Sequence, residues 1–300
     1  MAVFSKVTLN VFRNQCGGLI GMRSLSYVIT AQCITPQSLP SPSYWEQLLG
    51  PSECSPEPTI PASTTTNTTS TTPPTKVPYG TVINSCTVEN TFALTFDDGP
   101  FKYTDHVLDL LAEAQVKATF FVTGSLLGDI RNDENRARIK RMLDEGHQVG
   151  HHTWSHADLA MTDDKGVVEQ MTKLEDAFFD IMGKCPTYMR PPYFSWSAAT
   201  LFIMKDLKYH VIRADIDTYD WKYNSLGNLT GLDLFENGVE NGGTLTLCHD
   251  VQQNTAEFLL PEILRVMKEK NLKGVPVGDC LGDPEANWYR TDRILPATAP

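Results

Sequence analysis

The chain has no apolar run long enough to cross a bilayer, which argues against a membrane-spanning helix. It has no excess of positive charge either. Its 25 Lys and Arg stand against 36 Asp and Glu, for a formal net charge of −11. That balance speaks against a nucleic-acid binder and against a partner of anionic membranes. Residues 1–13 lack the continuous apolar core of a signal peptide, because Lys6 and Arg13 carry charge and the Val, Leu and Phe residues alternate with polar ones. The cysteines lack parity: seven leave at least one unpaired within the chain. What is present is a hydrophobic content of 41% over 300 residues, ample for one large domain with an appendage or for two medium domains. Two glycosylation sequons, Asn67-Thr68-Thr69 and Asn228-Leu229-Thr230, matter only in a secreted chain. On their account we expect secretion, despite the first thirteen residues.

Residues 60–77 form a Ser/Thr/Pro tract that cannot bury enough apolar surface to fold, and it reads as a linker. From Pro78 onward, strand and helix patterns alternate. The apolar run Thr91–Phe96 predicts a buried strand, and Tyr103-Thr104-Asp105 opens a helix with Val107, Leu108, Leu111 and Ala114 on one face. Further strands are expected at Ala118–Val122, Gln148–Gly150, Tyr188-Met189, His210–Ile216, Gly243–Cys248 and Val275–Val277. Helices are expected over Asp133–Glu145, Asp163–Met182, Ser197–Leu207 and Thr255–Lys270. Repeated strand–helix units imply parallel strands, since each crossover needs a helix. Active sites of closed α/β barrels collect at the C-terminal strand ends. The polar motifs of this chain all fall just after predicted strands.

The first motif, Thr95-Phe96-Asp97-Asp98-Gly99-Pro100, ends a strand in two adjacent carboxylates and a turn. Two close carboxylates repel unless a cation or a proton holds them. His152 and His156 lie four residues apart, within His152-Thr153-Trp154-Ser155-His156. Together with Asp98 they make two imidazoles and a carboxylate, a set suited to zinc with open positions for water. The same set also serves non-haem iron oxygenases. The second aspartate and a later block ending in His249 argue against that class, because an oxygenase needs no such general acid. His151 reads as a supporting or exposed residue and Trp154 as a packing wall.

Three more blocks follow: Arg190-Pro191-Pro192-Tyr193, Asp217-Thr218-Tyr219-Asp220-Trp221 and Leu247-Cys248-His249. In this order and spacing the five blocks resemble the polysaccharide deacetylases, carbohydrate esterase family four, over roughly residues 80–290. The resemblance implies a distorted, incomplete (β/α) barrel of about seven strands. It implies Asp98, His152 and His156 as metal ligands, for zinc or else cobalt or nickel. Asp97 becomes the general base with Arg190 as its partner, and His249 the general acid tuned by Asp217. The Tyr193 amide would help hold the oxyanion, Trp221 would line the groove, and Leu247 would pack the acetyl methyl group. Asp220 reads as structural, and Asp250 has no assigned role. Because fungal members tend to have stapled domain ends, a Cys86–Cys280 disulfide is expected, with Cys185 and Cys248 as free thiols.

The closing segment Val275–Pro284, followed by Asn287-Trp288-Tyr289-Arg290, is similar to the end of fungal chitin deacetylases. The expected activity is therefore hydrolysis of N-acetyl groups of chitin or chito-oligosaccharides, by a monomer. The alternatives are an acetylxylan esterase and an inactive sugar-binding domain. Ahead of the linker, Gln15-Cys16-Gly17-Gly18 and Ser43-Tyr44-Trp45-Glu46-Gln47 resemble pieces of a small cellulose-binding module. Leu48 stands where that resemblance expects cysteine, so residues 1–59 are either a working module or a degenerate remnant. Residues 78–300 form the expected catalytic domain.

Overall fold

The computed structural model describes residues 77–294. The expected binding-module-like segment and all but the last residue of the linker lie outside that range. In chain order, the described residues form β1 (Val82–Ile83), β2 (Thr91–Asp97), α1 (Thr104–Ala114), β3 (Thr119–Val122), α2 (Asp133–Asp144), β4 (Gln148–His151) and α3 (Asp164–Met182). Next come β5 (Cys185–Pro186), β6 (Tyr188–Met189), α4 (Ala198–Asp206), β7 (His210–Ile212), β8 (Ile216–Asp217), α5 (Thr230–Glu240) and β9 (Leu245–His249). After a π-helical turn at Thr255–Leu259 follow α6 (Leu260–Glu269), β10 (Lys273–Gly274), α7 (Val277–Cys280) and β11 (Tyr289–Arg290).

Local chemistry sets the helix starts. The Asn132 side chain accepts the Asn135 N–H ahead of α2, and Asp163 accepts that of Gly166 ahead of α3. Ser197 and Thr200 form a reciprocal capping box on α4. The buried stripes fall where periodicity puts them, with Val107, Leu108 and Leu111 on α1 and Val167, Met171, Leu174 and Phe178 on α3. Ala114 is exposed instead.

One parallel sheet organises the rest, in the order β1-β7-β6-β4-β3-β2-β9-β8, with β10 added beside β2. With β10 the sheet has nine strands, against the about seven that the resemblance implied, and four of them (β1, β6, β8 and β10) are two residues long. The sheet must curl. β7 and β8 sit six places apart in this order, about 29 Å in a flat sheet. Ile212 and Ile216 are only four residues apart and cannot be separated by more than about 14 Å. The expected single strand His210–Ile216 is thus two strands on opposite margins of one sheet, joined across the seam of an incomplete barrel by residues 213–215. The end of the domain also differs from expectation. Pairing with β2 is made by Lys273–Gly274, whereas Val277 begins a short helix that packs against Ala93, Leu245 and Trp288. The Cys86–Cys280 disulfide is formed, with a Cα–Cα distance of 5.0 Å. Cys185 and Cys248 are free and buried. No helix among the described residues is long and apolar enough to cross a membrane.

Candidate active site

Asp97 is the last residue of β2, and its register partner on the adjoining strand β9 is His249. Partners in register point to the same face of a sheet, so both side chains enter the mouth of the barrel together. They line a cleft of about 430 Å³ with Asp98, His152, His156, Pro191, Tyr193, Phe194, Asp217, Trp221 and Leu247. Every residue expected at the site is therefore in or beside one cavity. Arg190 alone stands behind the wall, with no exposed surface.

Asp98, His152 and His156 each present one donor atom, all within 4.8 Å of one another. His156 Nε2 lies 3.2 Å and His152 Nε2 3.6 Å from Asp98 Oδ1. His152 Nδ1 lies 2.7 Å from the Arg190 carbonyl, which only accepts, so the ring proton is there and Nε2 keeps its lone pair for the cluster. Asp98 Oδ1 is buried with no hydrogen-bond partner. A buried acceptor without a donor is costly, and a cation between these three groups would remove that cost. Burial pushes His152 down to about 3 and His156 down to about 4, so both rings are neutral, as ligands must be. Burial also lifts Asp98 to about 6, with His249 acting the other way. The residues fit a divalent metal ion.

Asp97 is held by Arg190, whose Nη1 donates to Asp97 Oδ1 at 2.7 Å and to Thr95 Oγ1 at 2.7 Å. Burial raises the Asp97 carboxyl above its ordinary range, and the guanidinium, with His249 beyond it, opposes that rise. Arg190 Nη2 donates to the Arg213 carbonyl at 2.9 Å. Its ring-like plane lies 4.3 Å from the centroid of Phe121.

The partner of His249 is not the one expected. His249 Nδ1 donates to Asp220 Oδ1 at 2.7 Å, and its backbone N–H donates to Asp220 Oδ2 at 2.7 Å. Asp220 is buried and also accepts from Thr255 Oγ1 at 2.7 Å. Asp217 instead caps the turn, accepting the Tyr219 N–H at 2.8 Å, and faces the cleft. The turn Thr218–Tyr219, with Tyr219 at φ 49°, swings the second aspartate of the block inward, which is why the role passes from Asp217 to Asp220. Burial works against a charge on His249, but Asp220, Asp98 and Asp97 outweigh it and raise the imidazole to about 10.

A family model described as polysaccharide deacetylase matches residues 84–212. A chitin deacetylase of Pestalotiopsis sp is 52% identical over 215 residues, covering 72% of this chain and 72% of its own length. The chain belongs to the polysaccharide deacetylases. A chitin deacetylase of Arthroderma benhamiae is 48% identical over 219 residues, covering 72% of this chain and 58% of its own. The solved chitin deacetylase of the fungal pathogen Colletotrichum lindemuthianum superimposes with a TM-score of 0.70 at 37% identity, over 72% of this chain and 98% of that one.

Around the centre of this family member, the remaining residues take definite places. The Tyr193 ring is exposed and meets His156, one ring of the candidate metal cluster, edge-on with centroids 4.5 Å apart. Trp221 is half exposed, and Leu247 is buried on the floor. His151 is neither exposed nor aimed at the cluster. Its Nε2 donates to the Met171 carbonyl at 3.0 Å and its Nδ1 accepts the Thr153 N–H at 3.0 Å, deep in the core. Sequence reasoning missed the contact of Thr95 with Arg190 and the role of Asp220. Both were within blocks already singled out, but nothing in residue type alone distinguishes Asp217 from Asp220.

Proposed function

We propose that the chain is a secreted, zinc-dependent deacetylase that removes N-acetyl groups from chitin or chito-oligosaccharides as a monomer, with cobalt or nickel as possible substitutes for zinc. The observation that carries this reading is the pairing of two differently tuned groups in register: Asp97 tied to Arg190, and His249 tied to Asp220. Beside them, Asp98, His152 and His156 would hold the metal. When bound, that ion supplies a Lewis acid for the acetyl carbonyl and makes water easier to deprotonate.

The protein's own groups then divide the proton work. Asp97, kept ionised by Arg190, takes the proton from the attacking water. His249, kept cationic by Asp220, donates to the amide nitrogen, because an amine cannot leave as its anion. The Tyr193 N–H helps to hold the oxygen on which negative charge develops. Leu247 gives the acetyl methyl group an apolar wall. Acetate and a free amine are the products.

A polymer fits the surroundings. A second groove of about 780 Å³ shares Tyr193, Phe194 and Asp217 with the cleft and adds Trp196, Arg213 and Tyr219. Exposed aromatic rings suit the apolar faces of sugars, so neighbouring units of an acetylated chain have somewhere to rest. The deciding experiment is acetate release from chitopentaose and from acetylated xylan, each with and without chelator. The reading expects chelator-sensitive release with chitopentaose as the better substrate. Release only from xylan makes the chain an esterase, and release that persists in excess chelator removes the metal.

A further inference from the structure

Asp250, next after His249, is a fully buried carboxylate that the chemistry above leaves without a task. Its side chain packs against Gly99, in the turn that carries Asp97 and Asp98, so closely that a Cβ on Gly99 would overlap both Asp250 oxygens. Oδ2 accepts a hydrogen bond from the Thr104 hydroxyl, and that hydroxyl oxygen accepts the Phe101 N–H at 2.8 Å. Oδ1 has no partner. The other side of the turn is held from the end of β3. There the Thr123 N–H donates to the Gly99 carbonyl at 3.0 Å, and the Thr123 hydroxyl donates to the Asp98 carbonyl at 2.9 Å.

Between these two grips Asp98 has φ 79°, a left-handed conformation that residues with a Cβ rarely adopt. Such a conformation persists only where its surroundings over-determine it. Here the conformation matters, because the Asp98 backbone sets the direction of Oδ1 toward His152 and His156.

We infer that Asp250 is a positioning residue for the metal ligands. With Thr104 it forms one jaw of a clamp on the Asp98–Pro100 turn, and Thr123 forms the other. The clamp holds Asp98 at the angle the two imidazoles require. This goes beyond the proposed metal triad and rests on it; neither Asp250, Thr104 nor Thr123 is among the three clustered ligands. The clamp works through shape and through acceptance from Thr104, not through charge at the ion. Asparagine, which keeps the planar outline and an acceptor oxygen, should replace Asp250; alanine should not.

The test uses the full chain, stripped of metal and titrated with Co²⁺. The cobalt d–d absorption reports both affinity and ligand geometry, at a temperature where circular dichroism shows each variant folded. Asp250→Ala should weaken Co²⁺ binding about 10–100-fold and alter the d–d bands, as loss of support behind a ligand does in other metal sites. Thr104→Val should act in the same direction through the same jaw, and it serves if Asp250→Ala does not fold. Asp250→Asn should stay within about threefold of wild type, against the 10–100-fold expected for alanine. Wild-type affinity and spectrum in folded Asp250→Ala or Thr104→Val overturn the clamp. So does an asparagine variant as weak as the alanine one. His152→Ala separates the levels: if it loses Co²⁺ while Asp250→Ala does not, only the clamp fails. If His152→Ala binds as wild type, the triad fails and the clamp with it.

Discussion

The two ends of the barrel are built by different rules. At the C-terminal strand ends, ionised side chains face one another and the backbone is bent out of its usual range. Asp98, Thr153, His156, Tyr193, Phe194 and Tyr219 all have positive φ, at a cost of about 1–2 kcal/mol each, against Asn90, Gln115, Lys208 and Asn271 on the other side. At the N-terminal ends, neutral groups do most of the joining, beside Asp215, whose carboxylate accepts the Thr244 and Leu245 N–H groups at 3.0 and 2.7 Å. The Val277 N–H donates to Thr119 Oγ1 at 2.9 Å, the Gly278 N–H donates to Gln148 Oε1 at 3.0 Å, and Val275, Val277, Leu281 and Trp288 fill the space. The disulfide closes this end as well. One end spends stability on holding groups ready, and the other supplies it. Changes at the first should remove turnover and leave melting nearly alone, while changes at the second should do the reverse.

The largest effect expected at the reactive end is loss of the metal. His152→Ala or excess chelator should abolish acetate release, and added zinc or cobalt should restore it only to the chelated wild type. Restoration of the alanine variant would show that His152 is not a ligand.

Next come the proton-transfer groups. Asp97→Asn should keep bound metal and lose about 10²–10⁴-fold in kcat. His249→Ala should lose a similar factor on an N-acetyl amide but much less on an aryl acetate, whose phenolate leaves unaided. Equal losses on both substrates, with metal still bound, would take the leaving-group role away from His249.

A smaller effect tests the corrected partner. In the proposed mechanism His249 acts as the protonated form, so activity should fall as pH rises through its pKa, which Asp220 raises. Asp220→Asn should therefore move the basic limb of the pH–rate profile to lower pH, while Asp217→Asn should move it less. The opposite ranking would return the role to Asp217.

The smallest effect on turnover is expected at the other end. Replacing Cys86 and Cys280 together by serine should leave kcat at 25 °C within about twofold, because no bond of the centre depends on them. The melting temperature should fall by roughly 4–16 °C, as expected for a loss of about 2–4 kcal/mol. A large loss of turnover at temperatures where the variant is folded would show that the two ends are not separable.

Much of this contrast was already readable in residue types. The five blocks mark the reactive end because chemistry there demands particular side chains. The helices are marked by caps and apolar spacing, although α5, with Leu232, Phe235 and Val239 at helical intervals, is not among the expected ones. Curvature was harder to see. Val211, Ile212, Ala214 and Ile216 look like one apolar strand, and only the closure of the sheet on itself assigns them to opposite margins. The same limit explains the two aspartates of the fourth block. Their order along the chain is visible, but residue type does not show the bend at Tyr219 after which Asp220, and not Asp217, meets His249.

Arg190 belongs to both sides of the contrast. It leaves the end of β6, crosses the inside of the curl to reach Asp97 on β2, and also donates to the Arg213 carbonyl in the link that spans the seam. The basicity of Asp97 and the closure of the wall are therefore one variable rather than two. Drift or engineering that alters this cation alters both at once, so variants at Arg190 should show activity and cohesion falling along a single line. The acidic partner is free of this tie: Asp220 accepts from His249, Thr255 and the Trp221 N–H, none of them in the link. An enzyme of this design can shift the upper limit of its pH range by local changes around His249, whereas its lower limit is set by the framework itself.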